Sequence, residues 1–202
     1  MKKRALGASG IELPELTLGT WLTFSTSNQE LANGLVEAVF AAGINAFDTA
    51  DVYGIGDGES ALAIALSRHP RDSYFLASKV FFPMSDAPED RGLSKKHIFK
   101  SIDNSLSRLN TDYLDLYQCH RFDSDVPLEE TIEAMGALIS SGKIRAWGTS
   151  VWSAPQLQQA QKVAQDLGVP GPVSEQPRYN ILCPEPISIF VCFSNKCVIP
   201  TI

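Results

Sequence analysis

The stretch Tyr113-Leu114-Asp115-Leu116-Tyr117-Gln118-Cys119-His120 is followed by residues 128–141, where Ile132, Met135 and Ile139 fall in helical register before Gly142. Ile144-Arg145-Ala146-Trp147-Gly148-Thr149 comes next. The order is strand, helix, strand. Neither strand alternates cleanly between polar and apolar residues, as a strand with one wet face would. That is the pattern of a parallel sheet covered by helices.

The same unit repeats in both directions. Upstream, Leu16-Thr17-Leu18-Gly19-Thr20 reads as a strand, and residues 29–42 as a helix with Leu31, Leu35, Ala38 and Ala42 on one face and Gly43 as its stop. Asn45-Ala46-Phe47-Asp48-Thr49 is a second strand, with a short helix over 58–68. Tyr74-Phe75-Leu76-Ala77-Ser78-Lys79-Val80 is a third, and its helix starts from Ser94, a good N-cap, with Ile98, Ile102, Leu106 and Leu109 in line. Downstream, the helix after Ser153 aligns Leu157, Ala160, Ala164 and Leu167, and Val173-Ser174-Glu175-Gln176 is a sixth strand. Residues 2–15 read as a hairpin turning at Gly7-Ala8-Ser9-Gly10.

A period of roughly 30 residues, one β/α step at a time, fits either a doubly wound sheet or a barrel. Periodicity alone does not choose between them; the expectation, carried by motif resemblance, is an α/β fold of the (β/α)8 TIM-barrel type, incomplete, with about six β/α units in residues 1–182 and the barrel not closed. With 202 residues the chain is short beside the roughly 250 of such barrels. Residues 183–202 break the pattern: Ile187-Ser188-Ile189-Phe190-Val191-Cys192-Phe193 is β-prone and apolar, with no helix after it.

Bulk properties exclude several functions. A net charge of −6 with scattered basic residues argues against nucleic acid. No run reaches the roughly 18 apolar residues of a membrane span, and the basic N-terminus has no apolar segment behind it. A cytoplasmic protein without membrane insertion is expected. Cys119 reads as a core residue; Cys183, Cys192 and Cys197 have no zinc-like spacing, so no metal site is expected.

Chemistry enters at the strand ends. Asp48, Lys79, His120, Ser150 and Gln176 lie at or just past the C-terminal ends of five strands. In a barrel those ends share one face, where active sites are built. Tyr53 follows Asp48 by five residues. A phenol ionises near pH 10, and a neighbouring ammonium favours the phenolate and so a better acid. Lys79 can supply that charge, Asp48 can hold Lys79, and His120 can orient a carbonyl. The set suits protonation of a carbonyl oxygen while hydride arrives at carbon from a nicotinamide.

The segments Leu18-Gly19-Thr20-Trp21, Phe47-Asp48-Thr49-Ala50-Asp51-Val52-Tyr53-Gly54, Ser78-Lys79-Val80, Asp115-Leu116-Tyr117-Gln118-Cys119-His120-Arg121, Gly148-Thr149-Ser150 and Glu175-Gln176-Pro177-Arg178-Tyr179-Asn180 resemble the aldo-keto reductase superfamily. Gly19-Thr20-Trp21-Leu22-Thr23-Phe24, Arg91-Gly92-Leu93-Ser94 and Trp147-Gly148-Thr149-Ser150-Val151-Trp152-Ser153 look most like its voltage-gated potassium-channel β-subunit branch. The resemblance runs from residue 1 to about 182 and implies C-terminal truncation. It implies reversible, NADP-dependent reduction of small aldehydes or ketones, with a tetrad of Asp48, Tyr53, Lys79 and His120. Thr20, Trp21, Asp48, Ser150 and Gln176 are the implied contacts to NADP(H), the last two holding the carboxamide. Val151 departs from the Asn or Arg common after that Ser.

Two other readings stay open: a cofactor-binding regulatory subunit of the channel type, and an inactive fragment whose open sheet edges promote self-association or homo-oligomers. At the level of single residues, Gly54-Ile55-Gly56-Asp57-Gly58 reads as a turn before a helix, not a phosphate loop. His69 and His97 read as surface groups, and Trp21 as either core or cofactor contact.

Overall fold

A computed structural model describes residues 1–178, 180, 182, 197 and 198. A two-stranded antiparallel hairpin, β1 (Lys3–Ala5) and β2 (Glu12–Pro14), precedes the main sheet. Five β/α units then follow in sequence order: β3 (Leu18–Gly19) with α1 (Gln29–Ala41), β4 (Ala46–Asp48) with α2 (Asp57–Leu66), β5 (Phe75–Val80) with α3 (Lys95–Leu109), β6 (Leu114–Cys119) with α4 (Leu128–Ser140), and β7 (Ile144–Ser150) with α5 (Ala154–Leu167). β8 (Ser174–Gln176) is the sixth strand, and β9 (Cys197–Val198) pairs beside it. The strands are all parallel and stand in chain order from β3 to β9.

This is an incomplete (β/α)8 barrel, its helices packed on one another along the outside. Among the described residues β3 and β9 do not pair, so the ring is open. The apolar segment expected over 187–193 lies outside the described residues, as does the tail apart from β9.

Strand geometry sorts the side chains into two cores. Because side chains alternate across a strand, Phe47, Leu76, Val80, Tyr117, Cys119 and Trp147 face outward to meet Ile98, Ile102, Ile132, Met135, Leu157 and Ala160 of the helices. Ala46, Phe75, Ala77, Leu116 and Ala146 face inward, where Leu6 and Leu13 of the hairpin plug the N-terminal end of the barrel. The hairpin fits tightly: a Cβ at Gly7, whose φ is +55°, would lie 2.5 Å from the Val173 carbonyl oxygen.

The helix ends follow their sequence signals. The Ser94 hydroxyl accepts the His97 amide of α3, and Ser153 forms a reciprocal capping box with Gln156 at the start of α5. Four expectations need correction. The inner face of α1 is Ala32 and Val36, flanked by Leu35, Val39 and Phe40, while Leu31, Ala38 and Ala42 are exposed. Leu167 likewise points outward at the end of α5. His97 is buried, its Nδ1 2.9 Å from the Gly92 carbonyl oxygen, and His69 is half-buried against the Phe40 ring at 3.8 Å.

Candidate active site

The same alternation that turns Ala46 and Ala77 inward turns Asp48 and Lys79 inward two residues later. Continuing across the registered pairs Lys79↔Gln118 and Ser150↔Gln176, it gathers the inward polar residues at the C-terminal end of the barrel. His120 lies one residue past β6 on the same parity.

At the centre is Lys79, 1% exposed. Its Nζ forms an ion pair with Asp48 Oδ1, donates to the Thr49 carbonyl at 2.9 Å, and lies 3.3 Å from Tyr53 Oη. Burial alone would pull the ammonium down, but the Asp48 carboxylate and Tyr53 outweigh it and hold the lysine charged above its ordinary range. The second Asp48 oxygen accepts from Gln176 Nε2 at 3.1 Å. Asp48 is thereby fixed at both oxygens.

His120 packs edge-on to Tyr53 with ring centroids 6.0 Å apart, and edge-on to Phe82 at 4.8 Å. Burial, reinforced by Lys79 and Arg121, drives its pKa down to about 3. The imidazole is therefore neutral at ordinary pH, one nitrogen a donor and the other an acceptor. Its Nδ1 is buried without a hydrogen-bond partner among the described residues.

The expected cofactor contacts occupy distinct levels. Ser150 Oγ donates to the Gln176 carbonyl at 3.2 Å, and Gln176 Oε1 accepts from Gln118 Nε2 at 3.4 Å, so the two residues stand side by side next to Asp48. Thr20 is buried, with its hydroxyl on that of Thr49 at 2.8 Å. Trp21 is not core: it is 65% exposed at the mouth, its ring 6.4 Å from that of Tyr53. Val151 has φ +58°, a left-handed conformation unusual for a β-branched residue, while its amide donates to the Gln176 carbonyl at 3.2 Å.

Four charged residues around the site were not singled out from sequence. Glu175 is buried behind β7, accepting from Thr149 Oγ1 at 2.6 Å and the Trp152 amide at 3.2 Å, and burial pushes its pKa up to about 7. Asp51 and Glu59 are buried on the outer side of the sheet. Glu59 meets Ser78 Oγ at 2.5 Å and Arg108 Nε at 2.7 Å. Asp51 Oδ2 accepts from Ser101 Oγ at 2.8 Å, Tyr117 Oη donates to the same Ser101, and Asp51 Oδ1 has no partner among the described residues. Burial raises the Asp51 pKa to about 7. The fourth, Arg121, sits beside His120 and Phe82. Its only sequence signal is adjacency to His120.

A buried ammonium bonded to a carboxylate and set against a phenol thus stands at the C-terminal end of the β/α barrel. The family model described as Aldo/keto reductase family matches residues 15–199. The chain belongs to the aldo/keto reductase family. That match extends past residue 182, where the motif reading ends. Over 184 residues the chain is 40% identical to a probable voltage-gated potassium channel subunit beta of Oryza sativa subsp. japonica, covering 90% of this chain and 56% of that protein. The same description applies to an Arabidopsis thaliana protein 38% identical over 184 residues, again 90% of this chain and 56% of the relative. A putative subunit of this kind from Schizosaccharomyces pombe is 37% identical, over 89% of this chain and 54% of its own length. The chain thus spans a little over half the length of these relatives. Among the described residues, no helix is long and apolar enough to cross a membrane.

Proposed function

We propose that the chain carries the chemical end of an NADP(H)-dependent carbonyl reductase, in which Tyr53 protonates the carbonyl oxygen of a small aldehyde or ketone. The observation that supports this most is the Lys79 ammonium, buried and bonded to Asp48, 3.3 Å from the Tyr53 hydroxyl. Placed there, it stabilises the phenolate left after proton transfer. Asp48 keeps Lys79 charged and aimed. Neutral His120, edge-on to Tyr53, offers a hydrogen bond to the same carbonyl oxygen and fixes its direction.

The residues present fit the nicotinamide end of the cofactor. Ser150 and Gln176, paired in register, bring a hydroxyl and a primary amide together beside Asp48, a donor and acceptor set suited to a carboxamide. Trp21 offers an exposed ring at the mouth. When bound, the nicotinamide supplies the hydride that no side chain can donate. Tyr53 and His120 then define where the carbonyl oxygen sits.

The test is NADPH oxidation by the 202-residue chain with 4-nitrobenzaldehyde, beside a fluorescence titration with NADPH. Tyr53→Phe keeps the ring and removes the proton, so turnover should fall by about 10²–10⁴-fold with cofactor affinity unchanged. Undiminished reduction in that variant overturns the assignment. The names of the relatives support a second reading, a cytoplasmic cofactor-binding regulatory subunit of a potassium channel. NADPH binding without turnover favours that reading; a folded chain with neither property excludes both.

A further inference from the structure

The half-buried arginines among the described residues are Arg71, Arg108 and Arg121. Arg71 holds Asp115 and Arg108 holds Glu59, each at 2.7 Å. This is the usual arrangement, because a partly desolvated guanidinium needs an anion. Arg121 departs from it. Its Nη1 donates to the His120 carbonyl and lies 3.4 Å from Ser150 Oγ, and its Cζ is 5.3 Å from the Phe82 ring centroid. No ion pair to a carboxylate is made by it among the described residues.

We propose that Arg121 is an anion-binding position at the mouth of the site, and that the preferred substrates are carbonyl compounds bearing a carboxylate a few bonds from the carbonyl. The inference rests on the carbonyl-reductase reading for the position of the carbonyl, and on Arg121 for the anion. Three contacts in series lead from one to the other. The Tyr53 ring meets the His120 ring at 6.0 Å, His120 meets Phe82 at 4.8 Å, and Phe82 meets the Arg121 guanidinium at 5.3 Å. For a carbonyl oxygen held by Tyr53 and His120, Phe82 and then the Arg121 guanidinium stacked over it are the next groups along the wall. A flat spacer packs on Phe82, and a carboxylate at its far end meets the planar fork bidentately.

The local field agrees. Burial lowers the Arg121 pKa, and the positive charge of Arg178 lowers it further, both of which a bound anion would oppose. The carboxyl that acts on it electrostatically, Glu175, is already occupied by Thr149 and the Trp152 amide. The chain as a whole carries −6, so this pair of neighbouring arginines runs against the protein's overall charge. A neutral carbonyl compound finds the same aromatic wall and brings the guanidinium no anion.

Calorimetric titration of the chain, with NADP⁺ present, separates the possibilities using 4-carboxybenzaldehyde and its neutral methyl ester. The acid should bind about tenfold or more tightly than the ester, the range expected for a charged hydrogen bond. Arg121→Met should abolish that preference, and Arg121→Lys, which keeps the charge and loses the fork, should retain part of it. Equal binding of acid and ester by the unaltered chain overturns the proposal without any variant, as does failure to bind either. A preference that survives in Arg121→Met overturns it too. Turnover of the ester reports separately on the reductase reading. Ester reduction without acid preference removes only the Arg121 inference, whereas acid-selective binding without reduction of either compound removes only the catalytic one.

Discussion

Asp51→Asn tests the electrostatics of the fold behind the candidate active site. Asp51 lies between the loop carrying Tyr53 and the helix α3. It is faced by Ser101 and Arg108 from α3, Glu59 from α2 and Tyr117 from β6. Burial dominates, and the nearby Glu59 adds to it, so the folded-state pKa stands at about 7 against an ordinary value of 3.8. Between those values the folded chain keeps a proton that the unfolded chain has released. The stability this proton confers is complete below the unfolded value and is lost as pH rises to the folded one. At about 1.4 kcal/mol per pH unit, the loss between about pH 4 and about pH 7 is bounded at roughly 4 kcal/mol. Asparagine keeps the shape and has no proton to lose. Urea unfolding followed by circular dichroism, for both proteins at several pH values, yields the difference directly, and Glu175 and His120 cancel because both chains contain them. The variant's advantage should grow from about pH 4 to about pH 7 and level off above. A difference that stays constant across that window, or shrinks with rising pH, refutes the reasoning.

Two further substitutions probe the barrel end. Lys79→Met leaves the half-buried Asp48 carboxylate without its cation and should lower unfolding free energy by up to about 3–5 kcal/mol, with Asp48→Asn added to Lys79→Met restoring part of it; an unchanged urea midpoint for the single variant refutes the ion pair's role. Val151→Gly removes a β-branched residue from a left-handed conformation that costs about 1–2 kcal/mol, an advantage reduced by the greater chain entropy of glycine. Its melting temperature should hold or rise slightly, and a clear fall shows that the Val151 side chain contributes more than its exposure suggests.

The barrel and the polar set at its mouth were legible because both depend on local periodicities. Alternation along each strand decides which residues face inward, and that places Asp48, Lys79, His120, Ser150 and Gln176 on one surface. The inner face of α1 was not legible, since Leu31-Leu35-Ala38-Ala42 and Ala32-Val36-Val39 satisfy the helical period equally and only packing distinguishes them. Buried charges were hidden for a different reason. A lone Asp or Glu is normally solvated, and what buries Glu59 and Asp51 is Arg108 and Ser101, 49 and 50 residues away. His97 was concealed by a loop: Gly92, at φ +82°, turns its carbonyl onto the imidazole.

The hydrogen bond from Gln176 to Asp48 joins residues 128 positions apart, whereas each strand of the sheet pairs with the strand before it in the chain. Those neighbour pairings can form one unit at a time as the polypeptide emerges, with little loop entropy to overcome at each step. The Lys79–Asp48 pair is available after the third strand of the barrel, but the second oxygen of Asp48 finds its donor only when the sixth arrives. A nascent chain ending near residue 150 would thus hold the acid and its lysine without the amide that completes their surroundings. Completion of this polar cluster is, in this sense, a late event in the assembly of the chain, timed by the arrival of β8.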